Sequence, residues 1–524
     1  GSRFRLHAPQ VRIDADLAAR GGEIALGNVL SSVTGLGRRI DIALPAAEGR
    51  RAQTVVAPGA TLDASGLWTN LLASAGDNAF VPYVDGGRVS VRSTGDATLS
   101  EAAAIDVSSG AALLQTGKLR GGRGGDVTLA AGYVTDANVA VDPLALLTLA
   151  GDLRAHGVSG GGTLDVRSGT AIGIGGKVLD TDGLLAAGQS ATANLRLLRD
   201  YQLAAGERAP MDLSTIVMHR PAGYTSDRQM IVQVSADAPL LVHVAWHIPQ
   251  NFSTGVFDTQ GHLYLPGNTV PAGASIRQGF TAPAGFTIPA DVFPDGFAIA
   301  PVTAHYRAGS VLDVPVTLAA GSSLAAGAVL ARPAAVAATT ELLPALFRSG
   351  FSRYAVISND GIAVAPGTRL DVEMPLLRTD GDGLRSLPTG GRLAANAPVW
   401  TPPLYQEDAV HAALAQRGGA SLELDAGSRV GGPAGLASLA VGTGARIAVD
   451  PGQSITLWSN GGQVTVDGRL DAWGGSISIA SQPIAQTAYR ASTTRSILLG
   501  DNAVLDAAAR PYVARDAQGR AYGI

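Results

Sequence analysis

Apolar and polar residues alternate along short segments of this chain, and a pair of glycines precedes each of the clearest segments. Alternate side chains of a β-strand point to opposite faces, so this pattern predicts short strands with one buried face. The copies are GGEIALG from Gly21, GGRVSVRS from Gly86, GGDVTLAAG from Gly124, GGTLDVRSG from Gly161, GGQVTVDG from Gly461 and GGSISIAS from Gly474. We attribute the glycines to corners that need tight turns and positive φ values.

A second motif lies between these segments: an apolar residue, an aspartate, a small or apolar residue and then a turn. The aspartates of this motif are Asp63, Asp106, Asp165, Asp371, Asp471 and Asp506. Self-similarity at roughly 20-residue spacing is typical of a solenoid, in which each unit packs against its neighbours. The two motifs together predict an all-β chain built as a parallel β-helix. We expect the aspartates to bind backbone donors of the turns. Stacked carboxylates could instead bind calcium, but the nonapeptide period of calcium-binding repeats is absent.

Interruptions of the repeat divide the chain. Between 195 and 310 the glycine pairs disappear, while prolines and aromatic residues become frequent, which predicts an inserted extra-helical β domain. The predicted segments are the β-helix over 1–194 with loop excursions near 43–58 and 67–84, the inserted non-solenoid β domain over 195–310, a return to the β-helix over 311–376 with a short helix near 339–347, an excursion over 377–418 with a short helix at 407–416, and the β-helix over 419–524.

Composition excludes several classes of function. The net charge is −4 and no basic stripe appears, which argues against a nucleic-acid partner. The chain has no cysteine, so disulfides, thiolate metal sites and a cysteine nucleophile are excluded. No apolar run reaches about 18 residues, so we expect no membrane insertion. The start at Gly1-Ser2 and the end within the pattern lead us to expect a piece of a longer protein.

Aromatic residues in the inserted domain are the candidate binding residues, because aromatic rings beside Asn, Asp and Arg form surfaces for sugars or proteins. These candidates are Tyr224, Trp246, Phe252, Phe257 and Tyr264. Trp68 and Tyr83 form a second candidate surface. The alternative for each residue is a place in the core of the small domain, which needs large side chains.

Metal binding and glycan cleavage are the alternatives to a binding surface of aromatic residues. His243 and His247 lie four apart on one strand, and with His262 and His305 they could bind zinc; the alternative is partly buried histidines of a β face. A glycan-cleaving β-helix would need two carboxylates across a groove, for which Asp165, Asp425 and Asp471 are the candidates. Nothing separates those three from ordinary corner residues, so we predict no catalytic residue, no metal and no cofactor.

The order of several segments resembles a known group of proteins. LDASGLWTN, GGRVSV, RSGFSRYAVISNDGIAVAPGTRLDV (348–372) and SILLGDNAVLDAAA (496–509) together resemble the filamentous-haemagglutinin-like large exoproteins of proteobacteria, a two-partner-secreted adhesin family. The resemblance covers most of the chain and is weakest over 195–310. It implies a right-handed parallel β-helix, secretion or display at the bacterial surface, and a role in adhesion. It supplies no catalytic residues.

We therefore expect a fragment of a secreted or surface-displayed adhesin, whose inserted domain binds a glycan or protein on host or bacterial cells. The resemblance also implies an outer-membrane secretion partner for the full-length precursor. One alternative is a passive stalk or filament segment of a contact-dependent toxin-delivery exoprotein. The other is a β-helix enzyme that acts on polysaccharides. The stalk predicts no binding by this chain, and the enzyme predicts release of product.

Overall fold

A computed structural model describes residues 2–33, 39–72, 84–134, 139–179, 183–235, 237–379, 383–427, 437–481 and 496–523. Its contacts divide the chain into two compact units. The first unit comprises Gly1–Leu198, Ser323–Gly327 and Ala331–Ile524, and the second comprises Arg199–Ser322 and Ala328–Leu330. The described residues are almost entirely strands and turns, which confirms the all-β prediction.

A nine-stranded parallel sheet, here called the long sheet, is the largest element of the first unit. Its strands, in spatial order, are Arg3–His7, Glu23–Gly27, Arg88–Ser93, Asp126–Ala131, Thr163–Ser168, Arg353–Ser358, Ser421–Ala426, Ser454–Ser459 and Ser476–Ser481. Every neighbouring pair is parallel and in register, so that Val89 lies opposite Ile24 on one side and Val127 on the other. Five of the six glycine-paired segments of the sequence are therefore strands of this sheet; the segment from Gly461 forms Val464–Val466 in another parallel sheet.

Two further sets of parallel strands accompany the long sheet. The first set comprises the sheet Leu147–Leu149, Asp96–Leu99, Gln53–Val56 and Gln10–Ile13, and the sheet Thr340–Leu342, Ile172–Ile174, Gly361–Val364, Ser438–Val441, Val464–Val466 and Ile497–Leu499. The second set comprises the sheet Asp152–Arg154, Ala104–Asp106, Thr61–Asp63 and Leu17–Ala18, and the sheet Arg369–Val372, Arg446–Val449, Arg469–Asp471 and Val504–Asp506. Where the repeat is regular, the chain passes from the long sheet to the first set, then to the second, and returns to the long sheet.

The inward faces of these sheets form one apolar core in the first unit. Ile24, Val89 and Leu164 are fully or almost fully buried and belong to the same cluster as residues of the other parallel sheets, such as Leu62 and Leu439. Each inward side chain of the long sheet lies opposite an inward side chain of the next strand, because the strands pair in register. Burial of these stacked Val, Leu and Ile side chains is the main stabilising contribution to the parallel sheets.

The second glycine of each pair is required by close stacking and not by its φ angle. Gly22, Gly87, Gly125 and Gly162 follow one another across the long sheet, and none has a positive φ. A Cβ on Gly87 would lie 2.1 Å from the carbonyl oxygen of Gly22, and one on Gly125 would lie 1.9 Å from that of Gly87. The same oxygens accept hydrogen bonds from the backbone of the next strand. Our prediction of positive φ values is therefore wrong for this column.

The recurring aspartates have two roles. Asp63, Asp106 and Asp506 accept a hydrogen bond from the backbone N–H two residues further along, at 3.0, 2.9 and 3.1 Å, as expected of turn aspartates. Asp165 and Asp471 instead bind arginine side chains. The carboxylates of Asp165 and Asp471 thus bind an arginine on their own strand or on a neighbouring strand.

Several shorter pairings branch from the parallel sheets of the first unit. They are Trp68–Asn70 parallel to Ala111–Leu113, which is antiparallel to Leu119–Gly121, and the antiparallel pairs Val29–Val33 with Arg39–Ala43, Leu376–Leu377 with Val399–Trp400, Tyr405–Asp408 with Ala413–Gln416, and Val513–Arg515 with Ala521–Gly523. The short helices are a 3-10 helix, Pro344–Arg348, and two α-helices, Gly383–Ser386 and Leu393–Asn396.

Three local predictions fail in this unit. Residues 407–416 form a hairpin and not a helix, because the Asp408 carboxylate accepts hydrogen bonds from the backbone of Val410 and His411 and closes the turn. The predicted loop over 43–58 contains the strand Gln53–Val56, which pairs on both sides with parallel strands. The helix predicted near 339–347 is instead the strand Thr340–Leu342 followed by the 3-10 helix Pro344–Arg348, which begins at the proline.

The described strands between residues 184 and 335 form nested antiparallel pairs, in which the second half of the segment pairs back along the first. The pairs are Leu184–Leu185 with Ala334–Ala335, Leu195–Arg196 with Ser323–Leu324, Tyr201–Leu203 with Val316–Leu318, Leu213–Arg220 with Phe297–Tyr306, Met230–Val232 with Phe280–Ala282, Leu240–Leu241 with Ser275–Ile276, Trp246–His247 with Thr269–Val270, and Val256–Phe257 with Leu263–Tyr264. The first two pairs belong to the first unit and the others to the second.

Turns of one type separate these strands. At Pro221, Pro271 and Pro283 the carbonyl oxygen accepts a hydrogen bond from the N–H three residues later, and a glycine with φ near 80° occupies the third position. This is the geometry of a type II turn, which favours glycine there. The antiparallel pairing persists to residue 335, so the return to parallel strands begins at Thr340–Leu342 and not at 311 as predicted.

Candidate functional site

The aromatic residues singled out by the sequence fall into buried and exposed groups in the second unit. Trp246 and Phe252 are buried, with 3% and 4% of their surface exposed. Their rings meet edge to face with centroids 5.8 Å apart. Trp246 also lies 5.1 Å from Phe293 in the same arrangement. Trp246 and Phe252 therefore form the core of this unit, which agrees with the alternative reading and not with a binding surface.

Tyr224 is half-buried and belongs to a polar cluster beside that core. The guanidinium of Arg220 lies 4.0 Å from the centre of the Tyr224 ring, at cation–π distance. Arg220 is itself buried and forms an ion pair with Asp313, which also accepts the hydroxyl of Tyr306. Burial, together with Asp313, raises the pKa of Tyr306 to about 12. This cluster compensates for burying a guanidinium, so Tyr224 has a structural role.

The innermost hairpin, residues 256–264, carries the remaining two candidates, Phe257 and Tyr264. Asp258 organises its turn. One carboxylate oxygen of Asp258 accepts the backbone N–H groups of Gln260 and His262, at 2.9 and 2.8 Å. The other oxygen lies 3.0 Å from Nδ1 of His262 and accepts the Tyr264 hydroxyl at 3.3 Å. One buried carboxylate thus fixes the backbone of the turn and the positions of two side chains.

Electrostatics favours the charged form of this carboxylate. Burial alone would raise the pKa of Asp258, but the backbone and side-chain hydrogen bonds from His262 and the backbone bond from Gln260 outweigh it, and the pKa is lowered. Burial, with the Asp258 charge nearby, raises the pKa of Tyr264, so this tyrosine remains a neutral hydrogen-bond donor. The hairpin is consequently a preorganised polar structure at neutral pH.

The outer side chains of the innermost hairpin are exposed. The His262 side chain is 64% exposed, and Leu263 and Leu265 are 47% and 53% exposed. Phe257 and Tyr264 are half-buried, and Tyr264 packs against the core of the unit. The hairpin is tied to the returning strand by hydrogen bonds from the N–H of Thr259 to Ser275 at 2.7 Å and from the N–H of Arg277 to Phe257 at 3.0 Å. A rigid turn thus displays the His262 imidazole, with exposed Leu263 next in sequence and Leu265 directly after the hairpin.

Trp68, the candidate of the first unit, is completely buried. Its indole N–H donates to the carbonyl of Leu387 at 2.9 Å, and its ring packs in a small cluster with Leu377, Leu384 and Leu393 of the excursion that follows residue 376. Sequence reasoning treated that excursion as a loop and could not foresee that it covers Trp68. Tyr83 lies outside the described residues.

The histidines proposed as an alternative metal site have separate partners. Nδ1 of His247 lies 3.3 Å from the Thr269 hydroxyl, and Nδ1 of His305 lies 2.7 Å from the Ser214 hydroxyl, while His262 faces Asp258. Among the residues that the structure describes, no group of three or more His, Asp or Glu side chains is arranged to hold a metal ion.

The three carboxylates of the enzyme alternative do not converge. Asp165 projects into a polar groove of about 530 Å³ over the long sheet, where it pairs with Arg167 at 2.5 Å. Asp471 belongs to a different sheet and pairs with Arg446 and Arg469. Asp425 is fully buried on the long sheet. This arrangement gives no pair of carboxylates facing each other across a groove.

Comparisons with protein-family models, with curated proteins and with solved structures find no match to this chain. Within the described residues, no helix is long and apolar enough to cross a membrane.

Sequence reasoning did not identify the innermost hairpin as a unit. Its signal is present in the segment DTQGHLY, where Asp258 precedes Gly261 by three residues, a spacing typical of a turn. The segment lies near the middle of the antiparallel region, but only the nested pairing shows that it is the turn on which all other pairs close.

Proposed function

We propose that this chain is part of a secreted or surface-displayed bacterial adhesin, in which a right-handed parallel β-helix presents an inserted domain. The repeated passage through three sets of parallel strands and the column of close-packed glycines support the β-helix. Handedness, secretion by the two-partner route and the outer-membrane partner rest on the resemblance to filamentous-haemagglutinin-like exoproteins. The partner is a glycan or protein on a host or bacterial cell surface.

We assign binding to the innermost hairpin. The observation that carries this assignment is that apolar side chains are exposed on a turn held rigid by a buried carboxylate. Exposed Leu263 and Leu265 gain free energy only when a partner covers them. His262, the residue before Leu263, supplies a hydrogen-bonding group for specificity. Because Asp258 fixes the turn before binding, little conformational entropy is lost when a partner docks.

The test is binding of the whole chain to arrayed glycans and to host and bacterial cells. The substitutions Leu263→Ser and Leu265→Ser together should weaken saturable binding by roughly tenfold or more, as expected when two apolar contacts are lost. The matched control is the pair Ile216→Ser and Met218→Ser, which removes two exposed apolar side chains elsewhere in the same unit. The control should bind as the parent does.

Other outcomes support the alternatives. If the parent chain binds no glycan and no cell, the stalk or filament interpretation replaces the adhesin. If binding is saturable but both double variants retain it, the binding surface lies outside the innermost hairpin. Release of shortened oligosaccharides from a polysaccharide would favour the enzyme.

A further inference from the structure

A pocket of about 420 Å³ lies in the first unit, where four separate chain segments meet. They are the hairpin of Tyr405–Asp408 and Ala413–Gln416, the turn at residues 451–452, the corner at residues 473–474 and the segment 509–511. A volume of this size lies within the range of roughly 300–1,000 Å³ that holds small ligands. None of these residues belongs to the surfaces discussed above.

Hydrogen bonds and ring contacts fix the pocket walls. The N–H of Gly452 donates to the carbonyl of Trp473 at 2.8 Å, which joins the turn to the corner. The Gln416 amide donates to the carbonyl of Pro451 at 2.6 Å, which joins the hairpin to the same turn. Behind the wall the Tyr405 and Tyr512 rings lie 4.4 Å apart. The pocket is therefore formed before any ligand arrives.

The lining combines flat apolar surfaces with a few polar groups at the rim. The indole of Trp473, the phenol ring of Tyr405 and the rings of Pro451 and Pro511 supply the apolar part. The exposed side chains of Gln416 and Arg510 supply the polar part. This composition is typical of a ligand site, in which apolar walls provide binding energy and a few polar groups fix orientation.

Two details of Trp473 distinguish this pocket from an ordinary surface cleft. The Arg510 guanidinium lies 4.8 Å from the centre of the Trp473 ring and is held there by Asp506 at 2.7 Å. The indole Nε1 of Trp473 is buried and has no hydrogen-bond partner among the described residues. Buried polar groups are nearly always satisfied in native proteins, so this nitrogen is an exception, but it is inaccessible from the pocket and the ring face of Trp473 is what a ligand can touch.

We propose that this pocket binds one pyranose ring of a saccharide. A pyranose has a flat C–H face that matches the apolar walls, and hydroxyl groups at its edge that can bond with Gln416 and Arg510. A purely apolar or aromatic ligand would form no hydrogen bond with Gln416 or Arg510. This site is independent of the innermost hairpin, and its test does not depend on the adhesin proposal.

Charge near the pocket favours an acidic sugar over a neutral one. Asp506 is shared by Arg510 and Arg469, at 2.7 and 3.0 Å, and Arg469 also pairs with Asp471, which pairs in turn with Arg446. Asp506 and Asp471 are thus each bound by two arginines, and a sugar carboxylate would add a negative charge next to Arg510. The pocket recognises the pyranose ring in both kinds of sugar, and a carboxylate on the sugar raises the affinity.

The experiment is a titration of the full chain with three probes: cellobiose, a hyaluronan tetrasaccharide and a proline-rich peptide. Binding is followed by calorimetry and by saturation-transfer NMR, which reports the ligand protons that touch the protein. We expect both sugars to bind, the acidic one more tightly, with transfer strongest to the ring C–H protons.

Substitutions then locate the site. Trp473→Ala should weaken sugar binding by roughly tenfold, the scale of one aromatic contact with its buried area. Trp473→Phe should recover part of the affinity, because it restores an aromatic ring with a smaller apolar face. The matched control is Trp400→Ala, since Trp400 carries a similar arginine, Arg378, at 5.3 Å from its ring and does not line the pocket.

Three results would overturn the proposal. They are the absence of sugar binding by the parent chain, equal losses in Trp473→Ala and Trp400→Ala, and binding of the proline-rich peptide alone. Hydrogen exchange of the strands Ser454–Ser459 and Arg469–Asp471 shows whether each variant is folded. If Trp473→Ala unfolds this region, Trp473→Phe and Gln416→Ala, which leaves the rings in place, decide the question.

Discussion

Replacement of Trp246 by alanine separates a core role from a binding role. Trp246 is 3% exposed and lies within 6.5 Å, centroid to centroid, of four phenylalanine rings. The substitution removes the central ring of that cluster and leaves a cavity that the surrounding rings can fill only in part. We therefore expect the second unit to lose stability, whatever the chain binds.

The structure sets the size of this loss. Replacing a buried tryptophan or phenylalanine by alanine costs about 3–5 kcal/mol, and the edge-to-face contacts of Trp246 place it toward the upper end of that range. Domains are usually stable by only about 5–15 kcal/mol, so the unit should remain folded but open far more often. Because each loss of about 1.36 kcal/mol in the free energy of unfolding lowers the protection factor tenfold, protection against hydrogen exchange should fall by roughly 150- to 5,000-fold.

Hydrogen exchange read by mass spectrometry is the appropriate assay, because a chain of two units need not unfold in a single transition. Peptides that contain Met230–Val232 and Phe297–Tyr306 report the second unit, and peptides from Ser454–Ser459 report the first. Trp246→Phe should cost much less, since most of the ring contacts survive. Unchanged protection in Trp246→Ala, together with lost binding, would refute the core assignment.

Three further predictions concern other parts of the chain. Gly87→Ala should lower protection of the long sheet by the equivalent of about 1–3 kcal/mol because its Cβ would meet a backbone oxygen, whereas Gly383→Ala, with open space at its Cβ, should be neutral. Burial raises the pKa of Asp360 to about 6, so the stability of the first unit should fall as pH rises from 3.8 toward 6, and Asp360→Asn should remove that dependence in urea unfolding. The pKa of Asp258 is lowered from 3.8, so the stabilisation that its carboxylate gives the folded second unit should be complete above pH 3.8 and should be lost as the pH falls through the lowered pKa. An NMR titration midpoint at or above 3.8 for Asp258 would contradict this.

The parallel part of the fold could be read from the sequence because its signals are local and repeated. An alternating segment after a glycine pair predicts a strand wherever it occurs, and in-register stacking of similar segments follows from the repeat. The reason for the glycines was less accessible. The contact between Gly87 and the carbonyl of Gly22 joins residues 65 positions apart, and only the sheet register brings them together.

The failures share a physical cause, which is that the deciding contacts lie far away in sequence. The sequence predicts Trp68 as part of a binding surface, but Leu387 and its neighbours, more than 300 positions away, cover it. Trp473 drew no attention in the sequence because it occupies one position of an ordinary repeat, RLDAWGG. Its pocket depends on a hairpin and a terminal segment that no local pattern connects. The helix predicted at 407–416 is a hairpin because the Asp408 carboxylate binds the backbone of Val410 and His411 and closes a turn.

The nested pairing of residues 184–335 has a consequence for how this region acquires its structure. The pair Leu184–Ala335 joins residues 151 positions apart, while Val256–Tyr264 joins residues only eight apart. Closing a long loop before the short ones costs more chain entropy than closing the shortest loop first. The kinetically favoured order of pairing therefore starts at the turn held by Asp258, and each longer antiparallel pair forms after the shorter one inside it. When a chain emerges amino end first, as from a ribosome or a secretion pore, the first pair cannot form until about residue 264 has been released. The last pair, Leu184–Ala335, forms only after residue 335 has followed.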